Sequence, residues 1–171
     1  MGTITRLLVA NRGEIARRVM RTCRDLGIET VAVHSDADVD APFVHEATWA
    51  VRLPGTAPAD TYLRVDLLLD AARRTGADAV HPGYGFLAEN AGFAQAVVDA
   101  GLVWVGPTPD QIRLLGDKIA AKRAAIEAGV PTTQLVEVAP GSVPNGLAMP
   151  ILVKAAAGGG GRGMRIVHHE S

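Results

Sequence analysis

A lysine closes an apolar run, and four glycines follow soon after, in "LVKAAAGGGGRGM", residues 152–164. Glycine has no Cβ, so successive N–H groups can turn toward phosphate oxygens. The Lys154 ammonium would offset phosphate charge from the other side. A flexible linker is the competing reading. Linkers seldom lie between two β-rich apolar runs, however, and they usually contain serine. A phosphate loop is therefore expected, with Lys154 and the glycines as its parts. A second lysine, Lys118 in "GDK", opens a helix at the end where the macrodipole disfavours a cation. Such a lysine makes sense if ammonium and backbone N–H groups bind an anion together, the plain alternative being a surface lysine.

The stretch "HPGYGFLAEN", residues 81–90, follows the carboxyl end of an apolar run, where open parallel sheets place their ligands. Pro82 and two glycines fix a tight turn there that can expose Tyr84. Taken alone, the simpler expectation is Tyr84 packed against the sheet edge. Glu89 is either a capping carboxylate or a site residue, and spacing does not choose between them. Two better-known phosphate patterns are absent. The turn after the first strand reads "ANRGEIA", with one glycine in place of G-x-G-x-x-G, which argues against a nicotinamide or flavin enzyme. "LLGDKIAAK" lacks the spacing of a Walker loop.

These residues need a frame, and the first two thirds of the chain describe one. "RLLVA" (6–10) reads as a strand buried on both faces. A helix follows, with Ile15, Val19, Cys23 and Leu26 on one face, Arg17, Arg18, Arg21 and Arg24 mostly away from it, and Gly27 as its stop. "ETVAVH" and "WAVRL" read as the second and third strands, with His34 ending the second. Residues 61–76 read as a helix facing the core with Leu63, Leu67 and Ala71, closed by Gly76. "DAVH" is a fourth strand. Asn90 caps a helix carrying Phe93, Ala94, Val97 and Val98, and "LVWVG" is a fifth strand. Thr108-Pro109 opens one helix and Asp117 caps another, which runs to Gly129. Strands alternating with helices imply a parallel sheet covered on both faces. Beyond Val130 the character changes. "PTTQLVEV" reads as a strand, "APGSVPNGLAMP" is rich in turns, and two apolar runs flank the glycines in a hairpin pattern.

Composition narrows the classes. Of 171 residues 48% are hydrophobic, and the formal net charge is −1, which gives no basic footprint for nucleic acid. Cys23 is the single cysteine, so no intrachain disulfide forms, and its place in a helical apolar pattern predicts a buried thiol. The N-terminal apolar run is too short for a signal peptide, and no stretch has the roughly 20 apolar residues of a membrane span. The expectation is a cytoplasmic protein with neither membrane nor nucleic acid as partner.

Taken in order, "ANRGEIA", "VAVHSDAD", "HPGYGFLAEN", "WVGPTPDQIRLLGDK", "AGVP" and "VKAAAGGGGRGM" resemble the biotin carboxylase component of biotin-dependent carboxylases, over essentially the whole chain. The leading stretches look most like α-chains of acetyl- or propionyl-CoA carboxylases. The resemblance implies an α/β, Rossmann-like pre-ATP-grasp domain over residues 1–116. After it come a linker helix and the truncated start of an ATP-grasp lid over residues 117–171. It implies an ATP-dependent ligase that activates bicarbonate as carboxyphosphate and carboxylates the N1 nitrogen of biotin, carried on a carrier protein or domain, for transfer to an acyl-CoA. Catalysis of that kind rests on cations and N–H donors around crowded negative charge.

By the same resemblance, Lys118 and Lys154 contact ATP, and Gly160 and Gly161 lie in the lid loop over its phosphates. Tyr84, Gly85 and Glu89 face the biotin pocket. Arg18, Arg21 and Asp25 belong to a homodimer interface. Biotin carboxyl carrier and carboxyltransferase subunits are the implied partners, and Mg²⁺ an implied cofactor whose ligands lie downstream. Two departures stand out: Ala157 replaces a usual glycine, and the segment between Val130 and Ile151 is short and lacks the family's helix. The family's larger C-terminal half would hold the catalytic glutamate, so no catalytic residue and no metal ligand is assigned, and the chain alone is expected to be inactive. A non-catalytic dimerisation or weak nucleotide-binding module, and a fragment of another ATP-grasp ligase, are the competing readings.

Overall fold

A computed structural model describes residues 3–134, 136, 146–154 and 164–169. The chain divides into two compact units, Met1–Ile112 and Arg113–Ser171.

The first unit holds strands β1 (Arg6–Val9), β2 (Glu29–His34), β3 (Trp49–Arg52), β4 (Ala79–His81) and β5 (Val103–Trp104). They form one parallel sheet in the order β3-β2-β1-β4-β5. Successive strand residues face opposite sides, so each face of the sheet needs its own cover. Leu7, Val9, Ala32 and Ala79 meet α1 (Gly13–Asp25) and the short α2 (Pro42–Glu46) on one side. Leu8, Val31, Val33 and Val80 meet α3 (Val65–Thr75) and α4 (Ala91–Asp99) on the other. Phe93 lies edge-on to Trp104 with ring centroids 5.4 Å apart.

The helix faces differ from expectation by about one residue. In α1 the buried residues are Ala16, Val19, Met20 and Cys23, while Leu26 is 68% exposed. Phe43 and Val44 of α2 come close on that side, which leaves room for an alanine and a flexible methionine there. In α3 the buried residues are Leu68, Ala71 and Ala72. That helix also begins at Val65 rather than at Thr61. A 3-10 turn, Pro58–Asp60, precedes it, and Tyr62 is drawn into the core instead of into the helix. The expected caps are in place. The Asn90 side chain accepts from the Phe93 N–H at 2.9 Å, and Gly76 ends α3 in the left-handed region.

The division between the units falls within α5 (Pro109–Gly116), at whose start the Thr108 and Gln111 side chains accept from each other's backbone N–H groups. The second unit holds α6 (Lys118–Glu127) and an antiparallel pair, β6 (Ile151–Lys154) with β7 (Met164–Val167), in which Lys154 stands opposite Met164. The hairpin expected around the glycines is thus present as its two strands. No strand forms over Pro131–Gln134 or at Val136, against expectation, and the rest of that predicted strand lies outside the described residues. No helix among the described residues is long and apolar enough to cross a membrane.

Candidate functional site

The strand order reverses direction between β1 and β4, so the turns leaving their carboxyl ends diverge and leave a crevice. After β1 the chain runs through Asn11 and Arg12 into α1. After β4 it runs through "PGYGF". Between the two lies an open cleft of ≈ 230 Å³, bounded by Asn11, Arg12, Glu14, Ile15, Tyr84, Gly85 and Phe86. Tyr84 and Gly85, two of the residues singled out from sequence, therefore come together here. Tyr84 is 61% exposed, so the expectation that it packs against the sheet edge is corrected. Its hydroxyl donates to the Glu14 carboxylate in the first turn of α1, and that bond raises the phenol's pKa. Glu89 is exposed and does not border the cleft.

A run of contacts shapes the far wall. The Arg12 guanidinium reaches the Asp38 carboxylate at 3.1 Å and lies 5.7 Å over the Tyr62 ring. The Tyr62 hydroxyl accepts from the Ser35 N–H at 3.0 Å and donates to Asp38 at 2.6 Å. The Tyr62 ring stacks on Phe86 with centroids 5.2 Å apart. That stack helps hold Phe86 at φ 39°, a backbone conformation unusual for a bulky residue. Burial, together with the bond to Asp38, pushes the Tyr62 phenol up to about 12. Burial pushes Asp38 upward too, but hydrogen bonds from Tyr62, Ser35 and Arg12 outweigh it and hold this carboxyl below its usual value.

Sequence reasoning missed Asn11, Asp38 and Tyr62. Asn11 was visible only as a non-glycine in a fingerprint that was absent. A small amide between a buried strand and a helix start, facing a Gly-x-Gly turn, was the available signal.

The arginine-rich face of α1 splits in two. Arg17 pairs with Glu46 at 2.6 Å, and Arg24 donates to the Glu46 carbonyl, so both tie α1 to α2. Arg18, Arg21 and Asp25, three and four residues apart, share an exposed stripe. Lys118 is exposed at the first position of α6. The Asp117 carboxylate accepts from the Ile119 and Ala120 N–H groups at 2.9 Å, so part of that helix start already holds a carboxylate. Lys154 ends β6. Gly160 and Gly161 lie outside the described residues, as does Ala157. Among the described residues no group of three His, Cys, Asp or Glu is placed to hold a metal ion.

Residues 3–112 match the family described as "Biotin carboxylase, N-terminal domain", and residues 117–171 match "Carbamoyl-phosphate synthase L chain, ATP binding domain". A biotin-dependent acyl-coenzyme A carboxylase alpha3 subunit of Mycobacterium leprae is 50% identical over 95% of this chain and 28% of its own length. A biotin carboxylase of Pseudomonas aeruginosa is 48% identical over 98% of this chain and 39% of its own length. The chain thus spans well under half the length of these curated relatives. Among solved structures, the pyruvate carboxylase of Rhizobium etli superposes with a TM-score of 0.86 at 40% identity, over 99% of this chain and 16% of that one. The biotin carboxylase domain of Hydrogenobacter thermophilus 2-oxoglutarate carboxylase, a dimer in complex with MgADP and bicarbonate, gives 0.84 at 42% identity over 98% and 38%.

Proposed function

The chain belongs to the biotin carboxylase N-terminal domain family, and from that premise we propose that it supplies the biotin-facing wall and part of the ATP lid of an ATP-dependent biotin carboxylase. The observation that carries this reading is the cleft where β1 and β4 diverge, with Tyr84 and Gly85 on its rim. Ile15 and Phe86 give it apolar walls for a flat ring, and the Tyr84 hydroxyl and Glu14 give it a polar mouth. Tyr84 and Gly85 bind and orient biotin, with Glu89 facing the same pocket from outside the cleft's lining.

Lys118 and Lys154 offset the charge of ATP phosphates, and Gly160 and Gly161 lend N–H groups to the same task. ATP supplies the phosphoryl group that activates bicarbonate. The described residues offer no ligand set for Mg²⁺, so none is assigned to this chain. Residues 1–116 act as the α/β domain and 117–171 as linker helix and lid. Arg18, Arg21 and Asp25 face a second copy in a homodimer, and carrier and carboxyltransferase subunits complete the route to an acyl-CoA. Cys23, buried and free, suits a reducing cytoplasm.

The test exchanges this chain for the corresponding segment of the Pseudomonas aeruginosa relative. The hybrid is expected to hydrolyse ATP in a bicarbonate- and biotin-dependent way, and Lys154→Ala to raise its KM for ATP. A folded hybrid dimer without that activity overturns the reading. The chain by itself is expected to show no steady-state ATP hydrolysis with bicarbonate and free biotin.

A further inference from the structure

Asn11 is 4% exposed, yet every polar atom of its side chain is used. Its Nδ2 donates to the Pro82 carbonyl at 2.8 Å and to the Tyr84 carbonyl at 2.7 Å. Its Oδ1 accepts from the Arg12 N–H at 2.9 Å, at the residue that opens α1. The partners fix the orientation of the amide, because only an NH₂ group can satisfy two carbonyls at once. The turn has also been shaped around this side chain. Gly83 has φ 65°, and a Cβ built there would lie 2.7 Å from Nδ2. From the other side, His81 Nδ1 accepts from the Gly83 N–H at 2.9 Å. The turn that carries Tyr84 and Gly85 is therefore held by one amide from the turn across the switch point.

We propose that Asn11 is the positioning residue for the Tyr84–Gly85 turn and sets the affinity of the cleft for biotin through that turn. The proposal rests on the reading of the cleft as the biotin-facing wall. Glycines at 83 and 85 leave the turn many backbone states, and the two carbonyl contacts select one of them. An acceptor in place of the NH₂ group would oppose both carbonyls and release the turn.

The test uses the hybrid enzyme described above, with free biotin as the probe. Asn11→Asp keeps the shape but replaces the donor with a carboxyl group. It is expected to raise the KM for biotin on the order of tenfold more than the KM for ATP, the magnitude of two lost hydrogen bonds. Asn11→Ser, which leaves only a small void, is expected to shift the same ratio in the same direction and guards against a misfolded Asp variant. Equal rises in the two KM values, or no rise, for both variants would overturn the proposal. Tyr84→Ala provides the separate control. If it raises the KM for biotin while the Asn11 variants do not, the positioning role falls and the cleft reading stands. If neither Tyr84→Ala nor the Asn11 variants move it, the cleft reading falls as well.

Discussion

The two units treat their apolar residues in opposite ways. In the first, both faces of the sheet are closed by helices, and Leu8, Val9, Val31, Val33, Phe93 and Val97 are all buried. In the second, α6 has no buried residue among those described, and the β6–β7 pair exposes apolar side chains on both faces. Leu152 stands opposite Ile166, which is 63% exposed, while their neighbours Val153 and Met164 are exposed as well. A two-stranded ribbon is marginal by itself. The first unit draws its stability from its own core. The second leaves Leu152, Val153, Met164 and Ile166 exposed, so its described strands gain little from burial of their own.

The sharpest way to break this contrast is to truncate one large apolar residue in each unit. Phe93→Ala is expected to cost about 3–5 kcal/mol in denaturant unfolding, because it empties a packed site beside Trp104. Ile166→Ala is expected to change the same transition by less than about 0.5 kcal/mol, as exposed positions generally do. Comparable costs would mean that the hairpin shares the core's cooperativity.

The same contrast explains what could be read from sequence. The five strands, the parallel sheet and the caps at Asn90 and Asp117 were legible, because buried apolar runs and capping residues are local signals. Tyr62 reads as helical in the sequence because local periodicity cannot register a hydroxyl drawn toward Ser35 and Asp38, more than twenty positions earlier. Arg17 and Arg18 looked alike in the sequence. Only the packing of α2 gives one a partner in Glu46 and leaves the other on the exposed stripe. The role of Asn11 is hidden in the sequence for a similar reason, since its partners sit about seventy positions away.

A smaller effect tests the polar side of the first unit. Tyr62→Phe keeps the stack on Phe86 but leaves the N–H of Ser35, 0% exposed, without its acceptor. A loss of about 1–3 kcal/mol is expected from that orphaned group. It should appear as a lower unfolding midpoint with an unchanged m-value. A neutral result would mean that the contact on Asp38 and Ser35 adds nothing to the core.

The smallest effect is on pH dependence. Burial lowers the pKa of His81 below its ordinary 6.5. The unfolded chain therefore takes up this proton before the folded one does. Stability falls as pH drops from about 6.5 through the lower folded value, and it is unaffected by His81 above that window. His81→Gln is expected to flatten the slope of unfolding free energy just below pH 6.5. An identical slope in both proteins would assign it to other groups.

Arg12, Asp38, Tyr62, Phe86 and the Asn11-held turn form a hoop, since each joint leads to the next and the last returns to the residue beside the first. A hoop cannot be inherited in pieces. Grafting "HPGYGF" onto another parallel sheet would carry the arc without its fasteners, and the transplanted tyrosine would wander. The portable unit for design is the whole circlet, drawn from four separate stretches of the chain.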